Sequence, residues 1–371
     1  MGRALVVALA LSVTACANKP PMFLEERMPH ACRGKQAKAE CAGWVFDRMM
    51  RLFLTPYRDA RIAAYIDEVG QRLVRASGDR RTWTFEVLDD PEVQAFTGLD
   101  TSVFIHRGAL TMLRDESELA AVLAHEIGHV LGNHARENLE ESSRSVYRSQ
   151  SAAFEDVRYA RDDEIQADEL AVLLVARAGY DASGVSRMLR AYAVVAPDSG
   201  GSPDDNHPAW RERIARVQAL AATLPGGRQN AAHFRARLAT LVVGRDPLAV
   251  SRVGEAIVFA HAGFAVDLPP HLAVDVDTND VSVQTSEHGG FNLRILDARV
   301  AKMYPKQPNA TSAAEVVLAD RVALVIIATG PDASRLAQQV RARVRSPRSP
   351  ELAALRPTRA DMGAPRMLWV P

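Results

Sequence analysis

The sequence predicts an α+β fold: a mainly helical first part with a small edge-exposed β-sheet, then a second α+β part. Three observations lead to this prediction. Apolar residues recur at i, i+3, i+4 and i+7 over residues 43–75 and again over 119–131, as in amphipathic helices. Between these helices, residues 83–88, 93–96 and 103–106 show the short apolar segments that are typical of strands. After residue 241 short apolar segments alternate with polar turns, which indicates a separate α+β region.

The remaining elements follow from the same patterns. A helix is expected to end near Ala178, before Gly179, and another is expected to run from about Pro208 to Ala222. The last part of the chain contains five strand-like segments and two helix-like segments. The strand-like segments are 257–259, 264–268, 281–284, 291–296 and 322–328, and the helix-like segments are 311–319 and 331–344.

The composition indicates a globular protein that does not bind nucleic acid. The chain has 371 residues, of which 47% are apolar and 24% are charged. Such a length and apolar content are sufficient for a sizeable core. Lys and Arg number 45 and are balanced by 45 Asp and Glu, whereas a nucleic-acid-binding protein normally carries a basic excess.

The N-terminus resembles a bacterial lipoprotein signal. Arg3 precedes an apolar stretch at residues 4–13, which is too short to span a bilayer as a mature helix. The sequence Val13-Thr14-Ala15-Cys16 resembles a lipobox, in which Cys16 becomes the lipidated first residue. Ala17 follows it, where an Asp is typical of retention at the inner membrane, so the outer membrane is expected. An ordinary signal peptide with a chance cysteine is the alternative.

The two other cysteines are Cys32 and Cys41. A secreted chain enters an oxidising compartment, where an even number of cysteines is compatible with a disulfide framework. Cys32 and Cys41 are therefore expected either to form a short-loop disulfide or to remain two free thiols.

The motif His125-Glu126-Ile127-Gly128-His129 lies within the helix predicted over residues 119–131, whose start is marked by the acidic residues Asp115, Glu116 and Glu118. Residues i and i+4 share one helix face, so both imidazoles can reach one metal ion. Glu126 can reach a water molecule at that metal from the same turn. A catalytic zinc ion takes three protein ligands and keeps a fourth position open. The motif therefore predicts a zinc site with His125 and His129 as ligands, and two core or surface histidines are the alternative.

The third ligand is expected from a later helix. Glu164 and Asp168 are again four residues apart and share a face. Glu164 can bind the metal, and two His with one Glu is a known catalytic zinc set. Asp168 can accept the second ring N–H of a ligand histidine. Acidic residues on a helix often form only a solvated surface, but apolar residues bury the following turns, which favours the functional interpretation.

With His207-Pro208 and Arg213-Ile214, these motifs resemble the gluzincin zinc metallopeptidases of the HtpX, CAAX prenyl endopeptidase and BepA type. Gln94-Ala95-Phe96 resembles the edge strand of that family, and the segment 104–110 resembles the part of the chain that leads into its motif helix. The similarity covers about residues 45–222. It implies a zincin-type catalytic domain, one zinc ion per chain and peptide-bond hydrolysis. The sequence departs from the family at Gln94, where Asn is commoner, and lacks tetratricopeptide periodicity in its C-terminal part.

The resemblance also implies a role for each residue. Glu126 is the general base that takes the proton of the attacking water and passes it to the leaving amine. His207 and Arg213 are the matched candidates for stabilising the oxyanion or for gating the metal. The strand at Gln94, Ala95 and Phe96 is expected to pair with an extended polypeptide substrate. His134 lies off the face of the two ligand histidines, so a surface or packing role is expected for it.

Three functions remain open at this point. The first is an endopeptidase that acts on misfolded or misassembled envelope proteins in the periplasm. The second is a latent zinc-binding assembly factor or chaperone, in which His207 closes the site as a fourth ligand. The third is a membrane-bound scaffold whose C-terminal domain binds the partner. The chain is expected to divide into a signal peptide (1–15), a tether (16–42), a metallopeptidase domain (43–240), an accessory α+β domain (241–345) and an irregular tail (346–371).

Overall fold

The computed structural model describes residues 51, 54–98, 100–134, 161–195, 210–268, 272–276, 280–286, 289–301 and 312–355. Helices and three small sheets make up these segments, which confirms the α+β prediction. Cys16, Cys32, Cys41 and His207 lie outside the described residues.

The first part of the chain forms helices around one small sheet. Its helices are α1 (Ala60–Ser77), α2 (Arg107–Leu110), α3 (Glu116–Leu131), α4 (Arg161–Arg177), α5 (Gly184–Val195), α6 (Trp210–Ala221) and α7 (Ala231–Arg237). Its strands are β1 (Thr84–Leu88), β2 (Ala95–Thr97) and β3 (Ser102–His106).

Helix α1 begins later than the periodicity predicts. Asp59 caps it, because its carboxylate accepts from the backbone N–H groups of Arg61 and Ile62 at 3.0 and 3.3 Å. Residues 54–59 are not helical, although the prediction extended helix across them. Pro56 in this segment has no N–H to donate to a helix and instead forms a bridge with Leu88.

The small sheet places β2 at an edge. Its strand order is β1-β3-β2, with β1 parallel and β2 antiparallel to β3. Strand β3 is buried along its whole length, whereas β2 is half-buried. The catalytic-motif helix α3 packs against β2. An edge strand therefore runs beside the helix that carries the histidine motif.

A buried charge cluster anchors the N-terminus of α3. Asp115 caps the helix by accepting from the N–H groups of Ser117 and Glu118 at 3.0 and 3.1 Å. Arg187 of α5 bonds both carboxylates, with its Nη2 3.1 Å from Asp115 and its Nε 3.0 Å from Glu118. Glu116 accepts from the hydroxyl of Tyr65 at 2.9 Å. These bonds fix the end of α3 that lies before the histidine motif, at Asp115, Glu116 and Glu118.

Helices α3 and α4 approach each other closely at the motif. A Cβ atom added to Gly128 would lie 3.0 Å from both Cα and the carbonyl oxygen of Ala167. Such contacts are tighter than ordinary van der Waals packing. The glycine of the motif thus allows the backbones to come together and brings the acidic face of α4 onto the histidines of α3.

The second part of the chain forms two antiparallel sheets. The strands are β4 (Ser251–Val253), β5 (Ala256–Phe259), β6 (Phe264–Asp267), β7 (Ala273–Val276), β8 (Asp280–Ser286), β9 (Gly289–Asp297), β10 (Ser312–Ala319), β11 (Val322–Thr329) and β12 (Val344–Arg345). The strand orders in the two sheets are β10-β11-β9-β8-β7 and β12-β6-β5-β4. The helices are α8 (Ala298–Ala301), α9 (Ala333–Arg341) and α10 (Ser349–Ala354), the last of which lies in the segment expected to be irregular.

One helix expectation in this part is wrong. Residues 312–319, predicted as a helix, form strand β10 and pair with β11 along eight residues, from Ser312 opposite Thr329 to Ala319 opposite Val322. The Ala-rich segment favours a helix by local propensity, but pairing in the sheet overrides it. Strand β10 then packs against α9. Helix α9 lies within the segment 331–344 that was predicted to be helical.

A polar junction joins the end of β3 to the start of the second part. Arg107 is fully buried, bonds Asp89 at 2.6 Å and donates to the carbonyl of Val242 at 3.1 Å. Asp246 and His261 form an adjacent pair at 3.0 Å. Asp89, Asp246 and His261 are close enough to share an ion, but the Arg107 guanidinium already supplies positive charge there. The junction is therefore explained as an ion-pair cluster.

None of the helices in the described segments has the length and apolar character needed to cross a membrane.

Candidate metal centre

Three side chains from α3 and α4 bring their ligand atoms together. Nε2 of His125 lies 3.0 Å from Nε2 of His129. Glu164 places its carboxylate oxygens 3.7 Å from Nε2 of His125 and 3.6 Å from Nε2 of His129. His129 and Glu164 are buried, and His125 is partly exposed. The sequence prediction grouped these same three residues.

The separations of the donor atoms fit a zinc ion. Zinc with ligand distances of about 2.0–2.1 Å in tetrahedral geometry requires its donors to lie about 3.3 Å apart. The observed separations of 3.0, 3.6 and 3.7 Å bracket this value. Two imidazoles and one carboxylate are also a donor set that zinc takes in catalytic sites. These residues could therefore hold zinc with side-chain adjustments of a few tenths of an ångström, and leave one side of the ion to a water or a substrate.

Asp168 orients His125. One of its oxygens lies 2.9 Å from Nδ1 of His125, on the side of the ring opposite the donor Nε2. Burial lowers the pKa of His125, but the carboxylates of Asp168, Glu164 and Glu126 outweigh burial, and the net pKa is raised. A carboxylate behind a metal-binding histidine fixes the ring and increases its basicity.

His134 orients His129, a contact that sequence reasoning missed. Nδ1 of His129 lies 2.9 Å from Nδ1 of His134, and Nε2 of His134 lies 2.6 Å from the side-chain oxygen of Gln166. If Nε2 of His129 binds a metal, its Nδ1–H donates to His134, and the Nε2–H of His134 donates to Gln166. Gly132 makes room for this ring, since an added Cβ would lie 2.2 Å from Nε2 of His134. The two ligand histidines thus have different partners, the Asp168 carboxylate for His125 and the His134 ring, which contacts Gln166, for His129.

The pKa of His129 is lowered. The causes are burial, the largest, followed by repulsion from His125, His134 and Arg213. A lowered pKa keeps the imidazole neutral, which is the form that binds metal.

Glu126 lies beside the ligands and has the pKa of a general base. Burial raises the pKa of this carboxyl group, the charge of Glu164 raises it further, and the cations of His125 and Arg213 lower it, with a net value of about 7. A base works best when its pKa lies near the operating pH. The site therefore contains a carboxylate that can both take and return a proton near neutrality.

Arg213 binds the acidic residues of α4. Its Nε and Nη2 donate to the two oxygens of Asp168 at 2.7 and 2.9 Å. Its Nη1 lies 2.8 Å from Glu164, and its guanidinium lies 4.9 Å from the centre of the Trp210 ring. The bidentate bond lowers the pKa of Asp168 against the effect of burial, which raises it. Arg213 thus holds the carboxylate that in turn holds His125.

The strand predicted to bind substrate lies at the sheet edge. Ala95 and Phe96 belong to β2, and the carbonyl of Gln94 accepts from the N–H of His106 at 2.9 Å. Phe96 stacks on Phe104 with 5.2 Å between ring centres. Among the described strands, β2 pairs only with β3, so its other edge faces no described strand.

These features together resemble the site of an HExxH-type metallopeptidase, in which two histidines and a glutamate bind the metal and a second glutamate lies beside it. Comparison with known proteins agrees with this interpretation of the site. The model of peptidase family M48 matches residues 58–147, which contain the sheet, α3 and His134. Residues 58–147 of the chain are therefore similar to the M48 peptidases.

Several known proteins are similar to part of the chain. A beta-barrel assembly-enhancing protease of Escherichia coli is 23% identical over 202 residues, covering 47% of this chain and 42% of that protein. The beta-barrel assembly-enhancing protease of Yersinia pestis is 34% identical over 103 residues, covering 28% and 21%. The mitochondrial metalloendopeptidase OMA1 of Arabidopsis thaliana is 25% identical over 146 residues, covering 36% and 30%. The chain therefore spans less than half the length of these relatives.

Proposed function

We propose that this protein is a zinc-dependent endopeptidase that hydrolyses misfolded or misassembled polypeptides of the bacterial envelope. The observation that carries the proposal is the convergence of His125, His129 and Glu164 on one point, with Glu126 beside them. Two relatives are named beta-barrel assembly-enhancing proteases, which supports the envelope as the location of the substrates.

The chemistry is peptide-bond hydrolysis. Zinc, when bound by the three donors, polarises the scissile carbonyl and makes a water molecule acidic enough to attack near neutral pH. Glu126, with a pKa of about 7, takes a proton from that water and later returns it to the leaving amine. Asp168 and the His134–Gln166 pair keep the two imidazoles in the orientation that metal binding needs.

The substrate binds in extended form along β2. An edge strand presents backbone N–H and C=O groups to which an extended peptide can add as a further strand. Backbone bonds of this kind hold a polypeptide segment with little dependence on its sequence. Since α3 packs against β2, a peptide on this edge passes close to Glu126. Such recognition suits unfolded envelope proteins, whose backbones are exposed.

Arg213 acts as a positioning residue in this proposal. Among the described residues, its three guanidinium nitrogens contact Asp168 and Glu164, which favours a role in orienting these carboxylates over direct stabilisation of an oxyanion. Removing its charge would leave two carboxylates beside each other in a buried site.

A lipid anchor would hold the enzyme at the outer membrane, facing the periplasm. The lipobox-like sequence that ends at Cys16 supports this location. Triacylation of a cysteine provides more than the single chain that gives only marginal anchoring. Replacing Cys16 by Ser should give either uncleaved precursor or a soluble form. A processed Cys16→Ser protein that still fractionates with the outer membrane would exclude the lipid anchor.

Metal-dependent hydrolysis tests the activity itself. The purified protein should degrade casein, lose this activity in a chelator and regain it when zinc is added back. A protein that contains zinc but does not cleave casein would favour the latent assembly factor. In that case His207→Ala should release activity, because the motif His207-Pro208 supports His207 as the residue that closes the site. A His207→Ala protein that also fails to cleave would favour a binding role without catalysis.

A further inference from the structure

One buried hydroxyl group near the metal centre has no role in the chemistry described so far. Tyr192 lies near the C-terminal end of α5, and its ring is partly exposed. Its hydroxyl oxygen, by contrast, is inaccessible to solvent and has no hydrogen-bond partner in the described part of the chain. A buried polar group without a partner is costly and is retained in few places of a native structure. Such a group needs an explanation.

The packing of α5 on α3 places Tyr192 beside Glu126. The two helices run side by side from their N-termini, where a Cβ on Gly184 would lie 2.7 Å from the carbonyl oxygen of Ser117. From Gly184 to Tyr192, α5 advances by about 12 Å, and from Ser117 to Glu126, α3 advances by about 13.5 Å, at 1.5 Å per residue. Similar advances from a shared contact bring Tyr192 close to the level of Glu126.

The electrostatics agree with this position. The pKa of the Tyr192 phenol is raised, first by burial and then by the negative charge of Glu126. The phenol is therefore a permanent O–H donor at neutral pH. The pKa of Glu126 is set by burial and by the charges of His125, Glu164 and Arg213, without a hydrogen bond from Tyr192. The hydroxyl is close to the base without being bonded to it, so its donor is available to another group.

We propose that the Tyr192 hydroxyl donates a hydrogen bond to the oxygen of the scissile carbonyl as negative charge develops on it. This inference rests on the proposed peptidase function. Hydrolysis converts that carbonyl into a tetrahedral oxyanion, which needs a donor held in place before the reaction. Arg213 is engaged with Asp168 and Glu164, and the phenol supplies a neutral donor in a site that is already crowded with charge. In the transition state the hydroxyl, which has no partner among the described residues, gains one.

Tyr192→Phe tests this role, since it removes the hydroxyl and keeps the ring. Loss of one oxyanion donor lowers kcat by about 10²–10³-fold, and KM and zinc content should stay close to wild type. Thermal stability should be unchanged or slightly higher, because an unpartnered buried hydroxyl is removed. Tyr180→Phe is the matched control: its hydroxyl bonds Glu116 at 2.8 Å at the other end of α3. This control should lose stability and keep kcat.

A second measurement does not depend on turnover. A phosphinate peptide, which resembles the tetrahedral oxyanion, should bind the zinc-loaded Tyr192→Phe protein more weakly by a factor similar to the loss in kcat, whereas a cleavage-product peptide should bind equally well. Unchanged kcat and phosphinate affinity would overturn the proposal, as would loss of zinc or of the fold in Tyr192→Phe. If the wild type cleaves no peptide, the proposed function fails, and selective loss of phosphinate binding would still support the role of the hydroxyl.

Discussion

Replacing Gly128 by Ala tests whether the close contact between α3 and α4 sets the geometry of the metal centre. Alanine raises helix propensity by about 1 kcal/mol. Its Cβ, however, would lie 3.0 Å from the backbone of Ala167, where carbon atoms prefer about 3.5–4.0 Å. A backbone neighbour cannot rotate away, so α4 must shift by about 0.5–1 Å. Overpacking of this kind costs about 1–3 kcal/mol, so the net effect is a loss of about 0–2 kcal/mol.

The larger effect should be on zinc binding. Glu164 and Asp168 flank Ala167 on α4, so a shift of this helix moves both carboxylates away from the histidines. Displacing such groups typically weakens metal affinity by about 10–100-fold. Competition with a chromophoric chelator measures the affinity, and urea unfolding of the metal-free protein measures stability. Gly226→Ala is the control, because nothing lies within 4 Å of its added Cβ. Wild-type zinc affinity in Gly128→Ala, with a gain in stability of about 1 kcal/mol from helix propensity alone, would refute the reasoning.

Three further predictions concern the ligand set, the buried cluster and the second part of the chain. Glu164→Ala should abolish stoichiometric zinc binding while Asp168→Asn weakens it by about 10–100-fold, and full zinc retention in Glu164→Ala would mean that the third ligand is misassigned. Arg187→Met should lower the free energy of unfolding by about 3–5 kcal/mol, because two buried carboxylates lose their counter-charge. Urea unfolding measures this loss, and a loss below about 1 kcal/mol, the value of a surface ion pair, would contradict the prediction. The hydrogen bond from Arg345 lowers the pKa of Glu351 to about 2, below the usual value of about 4.3 for a glutamate. The stabilisation that this pair gives is therefore fully present at pH values above about 4.3 and is lost as the pH falls towards 2. The melting curves of wild type and Arg345→Gln should therefore converge in acid, and a constant difference across pH would exclude this linkage.

The candidate metal ligands could be predicted from sequence because their positions depend only on helix periodicity. His125 and His129, and likewise Glu164 and Asp168, are four residues apart and need only a regular helix to share a face. The role of His134 depends instead on where the helix ends. Helix α3 stops at Leu131, and Asn133 adopts a left-handed conformation with φ of 61°, so the chain turns back and His134 reaches His129. Gly132-Asn133, which follows the last apolar residue of the helix, was the sequence feature that could have predicted this turn.

Other features depend on partners that are distant in the chain. Residues 312–319 form a strand because β11 lies beside them, and no local pattern of these residues shows that neighbour. Tyr192 lies on the apolar face of α5 with buried Met188 and Leu189, so periodicity alone assigns it to the core. Whether its hydroxyl has a partner depends on the packing of α5 against α3, which the sequence does not specify. Arg213 was found by its motif, but its bidentate bond to Asp168 became evident only from the structure.

Glu126→Gln tests the central claim, metal-dependent hydrolysis with Glu126 as the base, most directly. Zinc content and cleavage of a quenched peptide should be measured on the same preparations of wild type and variant. The amide cannot take a proton, and both histidines and Glu164 remain in place. The account predicts one zinc ion per chain in both proteins and a kcat lower by about 10²–10⁴-fold in the variant. Stoichiometric zinc with wild-type kcat in Glu126→Gln would contradict it, and loss of zinc would show that Glu126 holds the site together instead of acting as its base.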